Sequence, residues 1–104
     1  MNSKISKNKH YQITIEELNA DQQPANSLQF DYQDREDLFK LVEHLNASSG
    51  LENNDAKRLA VSLRLIGPLM MQNRKHPLFD EFFPHFKTFM QHLKSSVKQA
   101  SASN

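Results

Sequence analysis

The apolar residues of this chain recur with one period up to Asp34 and with another after it, and that single switch decides most of what the chain can fold into. In residues 10–18 (HYQITIEEL), Tyr11, Ile13 and Ile15 alternate with Gln12, Thr14 and Glu16, and β-branched side chains are dense. A period of two with that composition predicts a half-buried strand. Residues 27–33 (SLQFDYQ) alternate again, with Leu28, Phe30 and Tyr32 on one side. The segment between them, residues 19–26 with Pro24, predicts a turn, so the two runs make an antiparallel hairpin. It holds no Asn-Gly or Asp-Gly pair, so the loop alone does not fix the register and the matching of apolar faces has to.

After Asp34 the period is helical. Asp34 reads as an N-cap, with Asp37 three residues on as a weaker capping-box acid, and acids in a first turn suit the positive end of the helix dipole. Leu38, Leu41, Val42 and Leu45 form an apolar face that Phe39 widens. Residues 46–50 end this helix, with Gly50 as the left-handed stop. Asn53 or Asn54 is the expected cap of a second helix. Ala56, Leu59, Ala60, Leu63, Ile66, Gly67 and Met70 make one stripe on it, and Val61, Leu65 and Leu69 a second, as in a helix covered on two sides. Pro68 removes a backbone donor inside this helix and predicts a kink, at a cost of ~3 kcal/mol. Residues 73–77 (NRKHP) break the pattern, because His76 precedes a proline and Pro77 suits a first helical position. Phe79, Phe82, Phe86, Phe89 and Leu93 then recur at spacings of three and four, a stripe expected to be core. It keeps its phase through Pro84. The expected fold is α+β: an N-terminal antiparallel β-hairpin followed by three helices, the last kinked or split near Pro84. The expected organisation is a disordered N-terminus over residues 1–9, a single domain over 10–97 and a frayed polar tail over 98–104.

Residue supply excludes much chemistry. Without cysteine there is no disulfide, thiolate nucleophile or thiolate metal site, and with only two glycines there is no glycine-rich phosphate loop. Of five histidines no two stand at i and i+4; His85 and His92 share a face but lie about 10.5 Å apart along a helix, too far for one metal. The pairs Glu16-Glu17, Glu36-Asp37 and Asp80-Glu81 are adjacent in sequence and diverge on a strand or a helix, so they do not present two acids to one bond. The serines cluster at Ser48-Ser49 and in the tail, with no nucleophile-elbow motif. The expectation is no enzyme, no cofactor and no metal. Residues 1–9 lack an apolar stretch, and residues 59–71 are too short and too interrupted to span a bilayer, which predicts a cytoplasmic protein without membrane contact.

Several of these runs resemble a small bacterial family known only as a domain of unknown function: the strand YQITIEEL, the pattern LQFDYQDREDLFKLVEHL, the segment LAVSLRLIGPLMMQNRKHPLFDEFF and the helix HFKTFMQHLK. The resemblance runs over residues 11–93, and its most specific part is RKHPLF, residues 74–79. It implies a shared fold and a bacterial cytosolic setting, and brings no catalytic residue, cofactor or partner.

Two features bear on binding. Residues 73–77 put Arg74, Lys75 and His76 in a loop between helices; histidine is the side-chain type that changes charge near neutrality, and a basic loop beside a helix start can contact a partner or an anion. The competing structural role is to cap the second helix and turn the chain. A lone hairpin, moreover, leaves two strand edges unpaired. The function expected is therefore a non-enzymatic protein-binding or regulatory module of unknown partner, a candidate homodimer through the hairpin edge or the second helix. Charge supplies the first alternative: residues 1–10, 11–55 and 56–104 carry net +3, −8 and +6, so a nucleic acid could be bound through Lys57, Arg58, Arg64, Arg74, Lys75, Lys87, Lys94 and Lys98. The second alternative is an enzyme with a noncanonical site around His76.

Overall fold

Alternation sets the sheet. In the computed structural model, which describes residues 8–102 and side chains to residue 98, β1 (Lys9–Leu18) and β2 (Pro24–Asp34) pair antiparallel and form a two-stranded sheet. The register places Tyr11 opposite Tyr32, Ile13 opposite Phe30 and Ile15 opposite Leu28, so the two apolar sets share one face, as residues directly opposite in an antiparallel pair must. The Tyr11 and Tyr32 rings lie 5.5 Å apart between centroids.

The loop is shorter than the expected residues 19–26, because β2 begins at Pro24, whose missing N–H is tolerated at a strand end. Asn19 builds the turn: its Oδ1 accepts the amides of Asp21 (2.9 Å) and Gln23 (3.0 Å), its own amide donates to the Gln23 carbonyl, and its carbonyl accepts the Gln22 amide. Gln22 takes the left-handed conformation, φ 63°. The ladder shifts register between Glu17 and Leu18, opposite Asn26 and Pro24, leaving Ala25 as the extra residue of a bulge.

Asp34 does not cap a helix. It is the buried last residue of β2, and its Oδ1 accepts the Glu36 amide at 3.0 Å. This aspartate turn ends the strand in place of starting a helix, one of the local bonds that let Asp compete with helical geometry. The Tyr11 hydroxyl donates to the Glu36 carbonyl at 3.3 Å, and Lys9 lies 3.9 Å from Asp37.

The chain is built as two compact units, the hairpin unit ending at Asp37 and the helical unit starting at Leu38. The helical unit holds α1 (Leu38–Ser48), α2 (Asn53–Gln72), α3 (Pro77–Asp80) and α4 (Phe82–Ala102). The first helix thus begins later than expected and has no acid in its first turn. The second begins at Asn53 after Glu52, with no side-chain cap, so neither Asn53 nor Asn54 plays the expected role. Its start is supported by the Ala56 amide donating to the Glu52 carbonyl.

α1 packs against both α2 and α4. The buried residues are Leu38 and Leu45 of α1 with Ala56, Ala60, Leu63, Gly67 and Met70 of α2. The small residues Ala56, Ala60 and Gly67 let neighbouring side chains come close to the α2 backbone: the Phe86 ring lies where a methyl on Gly67 would meet it at 3.8 Å. Gly67 also relieves the crowding that a Cβ would suffer before Pro68, and α2 runs unbroken through that proline. The second stripe of α2 is less covered, with Val61 and Leu65 half-buried and Leu69 exposed. Phe39, expected on the apolar face of α1, is 68% exposed.

The final helical stretch is split. α3 is a four-residue turn, and α4 starts at Phe82, which puts Pro84 in its first turn, where backbone N–H groups have no helical partner and a proline costs nothing. α4 continues to Ala102, through the residues expected to fray. The disorder expected for residues 1–9 falls mostly outside the described residues, and Lys9 is the first residue of β1.

Gly50 has φ 83°, the stop that the sequence predicts. The Ser49 amide donates to the Leu45 carbonyl and the Leu51 amide to the Ser49 hydroxyl (3.1 Å). No atom crowds a Cβ at Gly50, so the left-handed backbone is the whole penalty of a substitution. Gly50→Ala is expected to lower unfolding free energy by about 1 kcal/mol and Gly50→Asn by less, measured by urea denaturation.

Candidate functional site

Residues 73–77 fold into a turn whose side chains mostly serve the turn itself. Asn73 closes α2: its amide donates to the carbonyls of Leu69 (3.2 Å) and Met70 (3.1 Å), and its Nδ2 donates to Leu69 (2.8 Å). The helix end is thereby satisfied by an amide side chain, a role that sequence reasoning gave to Arg74 and Lys75 as the competing explanation of this loop. The His76 amide donates to the Asn73 carbonyl at 2.9 Å. With φ −70° and ψ 131°, His76 is extended, as a residue before proline should be, and Pro77 is the first residue of α3.

His76 is the N-cap of α3. Its Nδ1 accepts the Leu78 amide at 3.1 Å, and its carbonyl accepts the Phe79 amide at 3.0 Å. Accepting a backbone N–H requires an unprotonated Nδ1. The ring also lies 6.1 Å from that of Phe79. The Leu78 and Phe79 amides, which an anion at the start of α3 would use, are therefore already engaged. Arg74 sits with Cζ 5.8 Å from the centre of the Phe83 ring, a cation–π contact. Lys75 is exposed. The structure brings Arg74, Lys75 and His76 onto one turn, but it turns the Arg74 and His76 side chains to aromatic and backbone partners.

Other candidates are dispersed. Among the described residues no group of three or more His, Cys, Asp or Glu is placed to hold a metal ion. Of the basic residues in the second half, Arg58 lies 3.5 Å from Asp55 one turn away, while Lys87, Lys94 and Lys98 follow one side of α4 by their spacing and are exposed.

The sheet face is the larger feature. Tyr11, Ile13 and Tyr32 are half-buried, whereas Ile15 and Leu28, directly opposite each other, are each 54% exposed. Phe30 is 39% exposed beside them, and Leu18 is exposed at the loop end. The opposite face is polar, with His10 Nε2 3.2 Å from Asp31 Oδ2 and Thr14 hydrogen-bonded to Gln29. Sequence alternation shows which face is apolar but carries no signal of what covers it, so the openness of the Ile15–Leu28 end was not legible there. The phenylalanine stripe has the same property: Phe79, Phe83 and Phe86 are half-buried, while Phe82 and Phe89 are exposed.

A family model for a domain of unknown function, DUF3861, matches residues 9–95. The chain belongs to the DUF3861 family. The match opens on the first residue of β1 and closes within α4, so DUF3861 takes in both units. The chain is also similar to the crystal structure of a protein of unknown function from Pectobacterium atrosepticum, with 40% identity, a TM-score of 0.74, and coverage of 84% of this chain and 97% of that one. No curated protein matches. The likeness seen in the YQITIEEL and RKHPLF runs thus marks a real family, and the α+β fold is its fold.

If His76 acts in DUF3861 as a cap, His76→Ala lowers stability by about 1 kcal/mol and His76→Asn restores most of it, because an amide oxygen can accept the same N–H. Thermal denaturation followed by circular dichroism measures both. Arg74→Ala, which removes only the exposed contact with Phe83, is expected to cost about 0.5–1 kcal/mol in the same assay.

Proposed function

We propose that this DUF3861 protein is a non-enzymatic module that works by binding protein, and that it binds through its hairpin. The observation that carries this is the open apolar end of the sheet: Ile15 and Leu28 side by side and more than half exposed, with Phe30 adjoining. A two-stranded hairpin is marginal by itself, and a face of large apolar side chains bordered by Glu17 and Asn26 has the make-up of a contact surface, an apolar centre with a polar rim. The turn at residues 73–77 supports a structural reading better than a catalytic one, since His76 and Arg74 both have internal partners. A regulatory role fits a small domain whose main offering is a docking surface. The cytoplasm suits a chain without cysteine, and among the described residues no helix is long and apolar enough to cross a membrane.

Site-specific photo-crosslinking tests the reading. A photoreactive phenylalanine analogue in place of Ile15 or Leu28 should yield discrete protein adducts in living cells, and the same group in place of Lys87 on α4 should not. Absence of adducts at both hairpin positions would sink it.

A further inference from the structure

The geometry points to a second copy of this chain as the hairpin's partner, joined by antiparallel pairing of β1 with β1 about a two-fold axis at Ile13. The inference rests on the reading of the hairpin as the binding surface and names its occupant.

Among the described residues the sheet has two strands, so each has one edge with no strand beside it. The two edges differ. β2 begins with Pro24, carries the bulge, and holds Asp31 and Asp34 with no basic residue in PANSLQFDYQD, all features that discourage strand addition. β1 (KHYQITIEEL) has neither proline nor glycine, is in regular register from Lys9 to Glu17, and is uncharged from Tyr11 to Ile15. A β1-to-β2 contact between copies would leave an open edge at each end and propagate, whereas β1-to-β1 closes on itself.

Two-fold antiparallel pairing keeps the apolar face continuous only in registers that oppose residues of the same parity. With the axis at Ile13, Tyr11 faces Ile15 of the second copy and Gln12 faces Thr14. The ends then complement each other, Lys9 facing Glu17 in charge and the His10 ring facing the Glu16 carboxylate as a hydrogen-bond partner, each pair formed twice. Moving the axis to Gln12 sets Lys9 against Ile15, and moving it to Thr14 sets Tyr11 against Glu17, so both lose these pairs. β2 against itself offers none, having only acids. The pairing builds a sheet in the order β2-β1-β1-β2 and gives each exposed Ile15 a tyrosine neighbour. Lys9 and Glu17 are available for it: Lys9 makes a long 3.9 Å contact with Asp37, and Glu17 hydrogen-bonds through one carboxylate oxygen to Asn26.

Charge reversal reads both partner and register. Lys9→Glu leaves acids facing acids at both ends of the seam, and Glu17→Lys leaves bases facing bases. Each variant alone should weaken self-association by about tenfold in sedimentation equilibrium. An equimolar mixture of the two should recover it. In the mixed dimer the acid introduced at position 9 of one chain meets the base introduced at position 17 of the other, and the native Glu17 of the first meets the native Lys9 of the second. Circular dichroism verifies that both variants are folded. A wild-type chain that stays monomeric at high micromolar concentration overturns the inference, even where hairpin crosslinks to another protein uphold the binding reading. So does a dimer whose affinity neither variant changes, or two weakened variants that the mixture fails to rescue.

Discussion

A sheet of two strands satisfies the backbone hydrogen bonds on only one side of each strand, and that constraint runs through the hairpin unit. Among the described residues every cross-strand neighbour of β1 is on β2, so the register between them fixes the side-chain pairing in the sheet. It sets the Tyr11–Tyr32 contact and brings Ile13 against Phe30. It also confines polar bonds such as Thr14–Gln29 to the other face. A slip by one residue would invert both faces at once. The bulge at Ala25 and the Asn19 turn are what hold the register at the closed end.

The helical unit rests on a different device. Its fully covered residues are mainly alanine, glycine and leucine with Met70, and its phenylalanines lie around them, half-buried or exposed. Small residues along one stripe of α2 allow close packing of α1, and Phe86 uses the same allowance at Gly67. The aromatic stripe of α4 therefore serves as a flank to the core, not its centre, contrary to what its spacing suggests.

Much of the fold was legible because it is written in periodicity. Strand alternation, the Gly50 stop, the Pro77 helix start and the break near Pro84 each depend on one residue type with one dominant backbone preference. Misread positions were those where one side chain has two competing local uses. Asp34 can begin a helix or close a strand with an aspartate turn, and its burial at the end of β2 settles the choice. Asn53 and Asn54 have cap-forming side chains that the chain does not use. The site was less legible still. Arg74 and His76 were visible as a basic cluster, but their partners, Phe83 and the Leu78 amide, are set by how the turn folds and by which residues follow it. Exposure of Ile15 and Leu28 depends on tertiary cover, which no local pattern encodes.

The Asn19 turn also has a consequence in time. One side chain gathers two amides across a loop of five residues, so closure is short-range, and hairpins of this kind form in about 1–10 μs. During synthesis the first 37 residues emerge well before the helical unit, which at ~5–20 residues per second takes several seconds more to complete. Being marginal by itself, the hairpin forms and opens many times while the rest of the chain is still being made.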